Sequence, residues 1–276
     1  MKINRLLLFV SIFVIFNLNI MAETIIEINE PNELPNLWIL SIGVNRYNSL
    51  QISNNNYSIN DAREIINIFK LQEGRVYNRV NSLLIADDSH IKPTRENIID
   101  NLSFLQQAAI NDIAILFIAG QSMIDKNGFY YFLPSNASLN TNGTIRVSSA
   151  VSWADFEFAL NFPSKKFLLI DTDNTDRIFS NKIRREYDDP NARTAIFTAT
   201  RNGQHSMERS DLKHGVFTYA MLQGLNGEAA DENKNITVTS LYSYIEKKMR
   251  ELTNNTQEPD IRSHMDMTGL IMARNR

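Results

Sequence analysis

Residues 112–122 read DIAILFIAGQS. Seven apolar residues, Ile113 to Ala119, stand between an acidic residue and the polar pair Gln121-Ser122. A run this short, this apolar and this rich in isoleucine reads as a strand buried on both faces of a sheet, since a helix needs more residues and usually keeps a polar side. The same type of run occurs upstream at Leu37 to Val44 (LWILSIGV) and downstream at Lys166 to Ile170 and Thr194 to Thr200. Arg79 to Ile85 and the short Phe129 to Leu133 bring the predicted strands to six.

Between these runs the apolar spacing switches to that of helices. Ile59, Ala62, Ile65, Ile66 and Phe69 share one face. Thr94 is a predicted N-cap for a helix whose apolar face is Ile98, Leu102, Leu105 and Ala109. Trp153 to Leu160, Val216 to Leu225 and Ser240 to Leu252 read as three more, the last with Thr239 or Ser240 as its cap. Strand–helix alternation implies a mostly parallel six-stranded sheet with helices on both faces, a three-layer α/β/α sandwich. Sites in such sheets lie beyond the carboxyl ends of the strands. The loops after Gly43, Gly120, Ile170 and Thr200 are therefore where chemistry is expected.

Composition narrows the options further. The chain has 276 residues, 28 Lys and Arg against 31 Asp and Glu, and a net charge of −3. Lys2 and Arg5 are the only charges among residues 1–22, so the rest is more acidic still. An acidic body argues against binding nucleic acid, which needs a basic face. There is no cysteine, which excludes disulfides, thiolate metal sites and a thiol nucleophile. Residues 1–22 combine a basic start, the apolar run Leu6 to Phe16 and Ala22 at a cleavage position, and read as an export signal too short for a membrane span. Residues 23–36 are polar, contain Pro31 and Pro35, and read as a tether to a domain over 37–276. The expected location is periplasmic or secreted, or signal-anchored if residues 1–22 stay attached; no later segment reads as a membrane span.

In order and spacing these segments resemble the caspase-like cysteine peptidases, the group of caspases, paracaspases and metacaspases. Ile39 to Tyr47 (ILSIGVNRY) is similar to the family's first strand, and Asn60-Asp61-Ala62 to the start of its first helix. Asp112 to Ser122 resembles the strand that ends in the family's Gly-His-Gly, followed by Gly128 to Ala137 (GFYYFLPSNA). Leu168 to Asp176 (LLIDTDNTD) stands where relatives run into Asp-x-Cys-His-Ser-Gly. Gly203 to Glu208, Lys213 to Ala220 (KHGVFTYA) and Leu225-Asn226-Gly227 resemble its last third.

The resemblance implies the fold and, at two positions, the loss of its chemistry. Relatives attack a peptide carbonyl with a thiolate, while a histidine manages the protons and backbone N–H groups hold the oxyanion. Here the histidine position is Gln121 and the cysteine position is Asp173. An amide has no proton to exchange near neutral pH, and a carboxylate is a poor acyl nucleophile. Asn174, Thr175 and Asp176 replace His-Ser-Gly, which removes the glycine of the oxyanion turn. In arginine- and lysine-specific relatives the acid two positions before the nucleophile faces the basic side chain of the substrate. That position is Asp171, so the resemblance implies a pocket of Asp171, Asp173, Gly120 and Ser122 for a peptide or protein with basic side chains. It also implies a possible homodimer through a sheet edge. It implies no cofactor and no metal.

Other readings of the same residues stay open at this point. Asp171-Thr172-Asp173-Asn174-Thr175 fits the D-x-D-x-T of magnesium-dependent aspartyl phosphatases, although that motif normally opens its domain. His205 can reach the site as a relocated base, and His214 reads as a loop-packing residue. Both Asp171 and Asp173 also suit a strand end and the cap of the next loop. Asp231, Asn233 and Asn235 have calcium-ligand spacing, but Ile236 and Tyr242 stand where that loop needs Gly and Glu, so a surface loop is expected. Lys182 to Asp189 (KIRREYDD) reads as a solvated charged loop.

Overall fold

A computed structural model describes residues 34–162, 164–178, 193–201 and 203–275. Residues 1–22, read above as an export signal, the stretch 23–33 read as part of a tether, and Lys182 to Asp189 lie outside the described residues. Residues 34–276 form one compact unit.

The strands and helices follow in chain order: β1 (Leu37–Gly43), α1 (Ser58–Lys70), β2 (Val80–Ala86), α2 (Arg95–Asn101), β3 (Ile113–Ala119), β4 (Ser122–Ile124), β5 (Tyr130–Phe132), β6 (Val151–Ser152) and α3 (Trp153–Ala159). Then come β7 (Lys165–Asp171), β8 (Thr194–Thr198), β9 (Glu208–Arg209), β10 (His214–Gly215), α4 (Val216–Gln223), β11 (Asn235–Thr237), α5 (Val238–Thr253), β12 (Asp260–Ser263) and β13 (Ile271–Arg274). The central sheet has six strands in the order β12-β8-β7-β3-β1-β2. All its pairs are parallel except β12 with β8.

β3 lies at the middle of this sheet, and all seven of its residues are buried. Alternate side chains enter two separate cores. Ile113, Ile115 and Phe117 join Leu37, Ile39, Phe167, Leu169 and Phe197 under α1, α4 and α5. Ala114, Leu116 and Ile118 join Leu40, Ile42, Leu168, Ile170 and Ile196 under α3 and the segment 98–105. This is the three-layer α/β/α sandwich that the sequence implies.

Two assignments need correction. Phe129 to Leu133 is not a strand of the central sheet. Its core, β5, pairs antiparallel with β4 and β6 in a separate three-stranded sheet. The turn that returns the chain is built by Asp125, whose Oδ1 accepts from Asn127 N and Phe129 N, both at 2.9 Å. The sixth central strand is instead β12, which is short and polar (DIRS) and carries no apolar run to betray it. An edge strand faces neighbours on one side only, so it needs no continuous hydrophobic stretch.

α5 begins at Val238, and its N-cap is Thr237, not Thr239 or Ser240. Thr237 Oγ1 accepts from Ser240 N at 3.1 Å, and Ser240 Oγ accepts from Thr237 N at 3.0 Å, a reciprocal capping box. Thr94 does cap α2, accepting from Asn97 N at 3.3 Å. That helix ends at Asn101 and tightens into a 3₁₀ segment over Leu102–Gln107 that still buries Leu102 and Leu105. Pro35 and Asn36, at the end of the polar stretch, are already bound to the domain: Asn36 N donates to Asp112 Oδ1 at 3.0 Å, and Pro35 O accepts from Asn78 N at 2.9 Å.

Candidate active site

The register of the sheet decides what meets at its carboxyl edge. β3 and β7 pair so that Ala119 lies opposite Asp171. Two residues beyond each, Gln121 and Asp173 arrive side by side on the wall of one cleft, which encloses about 170 Å³. Gly120 makes this approach possible. Its φ is +153°, and a Cβ there would stand 3.0 Å from Tyr47 Oη and 3.3 Å from the Phe132 ring. Tyr47 Oη in turn accepts from Gln121 N at 2.7 Å. The Gln121 side chain is held away from proton chemistry: its Nε2 donates to Asn55 Oδ1 at 2.6 Å.

Asp173 is fixed on two sides. Ser206 N donates to its Oδ1 at 2.5 Å, and His205 Nδ1 lies 2.8 Å from its Oδ2. The Asp173 carboxylate raises the pKa of His205 by hydrogen bonding and charge. His205 itself is 86% exposed. The sequence therefore places this histidine near the site correctly, but its partner is the carboxylate and not a hydroxyl nucleophile. Beyond Asp173 the chain turns through Asn174 in the left-handed region (φ 57°) and into a short 3₁₀ turn over Thr175–Arg177. Asparagine takes the positive φ here, and Asp176 lies within the 3₁₀ turn.

Asp171, the last residue of β7, is buried and accepts hydrogen bonds at both carboxyl oxygens. Ser206 Oγ donates to its Oδ1 at 2.6 Å, and Thr218 Oγ1 to its Oδ2 at 2.6 Å. Burial pushes its carboxyl pKa up against the pull of these hydrogen bonds. Ser122, expected in the pocket, stands behind it: its hydroxyl donates to the Asp173 carbonyl at 2.7 Å and it does not line the cleft.

Sequence reasoning passed over the rest of the wall. In sequence Asp61 on α1 is no more than the middle residue of Asn60-Asp61-Ala62. It is buried at 1% exposure, pairs through Oδ1 with His214 Nδ1 at 2.5 Å, and accepts at Oδ2 from Gly215 N at 3.0 Å. Burial raises its pKa to about 7, with the nearby Asp171 charge adding to the effect and the His214 hydrogen bond opposing it. His214 thus has the loop-bonding part that the sequence suggests for it. Glu208 on β9 accepts from Asn56 N at 2.8 Å and Tyr57 N at 2.9 Å, satisfying free amides at the start of α1. Asn54, Asn55, Ser58 and Ser206 complete the polar lining. Among the described residues, the wall carries four carboxyl side chains and no basic one. The available signal was positional: Asp61 and Glu208 both fall in the segments that resemble the family, but neither is adjacent to Gln121 or Asp173 in sequence.

Such a wall can attract a cationic group by charge and hold it by hydrogen bonds. It offers no sulfur nucleophile, and the Gln121 amide has no proton to exchange near neutral pH.

Comparison with known proteins bears on the fold and the family. The caspase domain family matches residues 37–268. The fold is similar to that of the crystal structure of protein GSU0716 from Geobacter sulfurreducens, at 11% identity and a TM-score of 0.60, over 88% of this chain and 100% of that one. No curated protein matches the chain. By the match over most of its length, and by the six-stranded sheet that carries it, the chain belongs to the caspase domain family, a family of peptidases.

Proposed function

We propose that this chain is a caspase-domain protein that no longer cleaves peptides by the family's chemistry and instead uses its cleft for binding. The observation that carries the reading is the pair Gln121 and Asp173, brought together at the ends of β3 and β7 where a peptidase of this family needs a histidine and a cysteine. Loss of catalytic groups of this kind removes about three or more powers of ten in rate. The ligand is a peptide or protein segment that presents a basic side chain to Asp171, Asp173 and their neighbours. The N-terminal reading makes the protein exported, periplasmic or secreted, and a homodimer through a sheet edge fits the same picture.

The test is an activity panel on the purified chain. Arginine- and lysine-peptide amides and a phosphate ester are offered with and without magnesium, beside the Asp171→Asn/Asp173→Asn double variant. The expected result is no turnover of either substrate class. Amide or phosphate turnover that disappears in the double variant overturns the reading in favour of altered hydrolytic chemistry. Binding is measured separately, by titrating an arginine-containing peptide and its norleucine counterpart; equal affinity for both rules out recognition through the acidic wall.

A further inference from the structure

The wall of the cleft contains a feature that a simple charge count overlooks. Gly215 separates two buried carboxyl groups. A Cβ at Gly215 would stand 2.6 Å from Asp171 Oδ2 and 3.2 Å from Asp61 Oδ2, so both oxygens face the same small volume. Like charges in so little space, out of water, oppose each other's ionisation. The charged and titratable groups around Asp61 are few. His214 on β10 pairs with it directly. Asp171 on β7 faces it across Gly215. Glu208 on β9 and Asp173 beyond β7 share the cleft, and His205 is occupied by Asp173. No lysine or arginine lines the cleft among the described residues. Burial first, and the Asp171 charge beside it, let one group on the wall, Asp61, hold its proton to about pH 7.

We infer that cation binding in this cleft is proton-coupled: entry of an ammonium or guanidinium group expels a proton from the Asp61–His214 pair to solvent. This rests on the binding reading given above and adds how that binding is regulated. The balance is simple. A positive ligand charge beside Asp171 and Asp61 replaces the proton that made their proximity tolerable, and Asp61 becomes a carboxylate that faces the ligand. His214 keeps its hydrogen bond to Asp61 Oδ1, and Gly215 N keeps its bond to Oδ2, so the loop does not have to move. The cleft then binds cations weakly in acid and fully at neutral to alkaline pH. Below about pH 7 affinity rises by at most about tenfold per pH unit, the limit for one linked proton. A fully hydrated carboxylate ionises near pH 4 and gives no such dependence in this range.

The experiment is calorimetric titration of the full chain with Nα-acetyl-arginine methylamide, repeated in buffers of different ionisation heat from about pH 5.5 to 8.5. The norleucine analogue serves as the neutral control. The expected result is release of a large fraction of one proton per ligand near pH 6.5, fading above about pH 8. Asp61→Asn is expected to bind with no proton release and with affinity flat in pH. His214→Gln removes a hydrogen bond that favours the ionised carboxylate, so it shifts the release to higher pH and provides a second variant if Asp61→Asn does not fold. Arginine-specific binding without proton release overturns the inference while the binding reading stands. Unchanged release in both variants overturns it as well, because the proton then comes from another group. Failure of the arginine probe to bind at any pH removes the binding reading and this inference together.

Discussion

Asp61 shows how a single side chain sets a property of the whole protein. Its carboxyl holds a proton to about pH 7 in the folded chain, because it is buried beside Asp171. The unfolded chain releases that proton near the ordinary aspartate value of about 4. Between these values the folded state binds more protons, so this residue makes stability fall as pH rises from about 4 to about 7 and has no further effect above. Urea unfolding across that window is expected to show the fall in the wild type and a flatter profile in Asp61→Asn. Gly215 gives a second prediction at the same scale. In Gly215→Ala the new methyl meets Asp171 Oδ2 at 2.6 Å, and overpacking of this kind costs about 1–3 kcal/mol, readable as a lower urea midpoint. Neither residue stands out in the sequence as a site residue. Asp171 and Asp173 do, because they sit directly beyond an apolar strand, whereas Asp61 and Glu208 reach the cleft only through the packing of α1 and the β9–β10 hairpin. Ser122 shows the converse: adjacency to Gln121 in sequence put it in the pocket, but strand alternation turns it to the buried side.

At the scale of elements, legibility followed hydrophobicity. β1, β3, β7 and β8 are apolar runs buried in the sheet, and the sequence marks each of them within a residue or two. β12 is four residues on an edge with one apolar side chain, Ile261, among three polar ones, and leaves no such mark. β5 is apolar but belongs to a local hairpin, since a hydrophobic run does not say which sheet it will join. α5 is plain from its periodicity, but its start contains Thr237, Thr239 and Ser240, three candidate caps in one stretch. The structure selects Thr237 because Ser240 then falls at the third helical position and bonds back. Thr237→Ala is expected to cost about 1 kcal/mol, seen as a lower thermal midpoint, whereas Thr239→Ala leaves the box intact and has little effect. Lys166, at the foot of β7, belongs to this scale too. Its Nζ donates to the Phe162 and Ser164 carbonyls at 2.6 and 3.0 Å, closing the turn between α3 and β7. Burial holds its pKa down to about 8. The unfolded chain keeps that proton to about pH 10.4, so stability is expected to rise with pH between about 8 and 10.4, and Lys166→Met to abolish the rise.

For the molecule as a whole, the sheet is a partition between two cores, and its central strands feed both. Phe117 is fully buried on the α1 side of β3. Phe117→Ala is expected to cost about 3–5 kcal/mol, a large share of a typical domain's stability, and to lower the urea midpoint of both cores together because one sheet carries them. The fold class was legible because layer architecture follows from the alternation of strand and helix patterns. That Gln121 and Asp173 share one cleft was legible because the register of parallel strands brings residues at equal distances past their ends together. What could not be read in advance was the remainder of the cleft wall, which depends on helices and loops arriving from distant parts of the chain.

The edge strand β12 has a consequence for how the chain is made. It pairs with β8, and β13 follows it to pair with β11, while Tyr77 Oη donates to the Met272 carbonyl at 2.8 Å and Gln72 accepts from Arg274 N at 2.9 Å. The last two ties join residues 195 and 202 positions apart, and a nascent chain that has already produced the five parallel strands of the central sheet still presents β8 as an open edge. Until residues 260–274 emerge from the ribosome, that edge is a template on which two unfinished copies can pair. Ribosome stalling ahead of residue 260 would therefore yield aggregates of nearly complete chains rather than a shortened native protein.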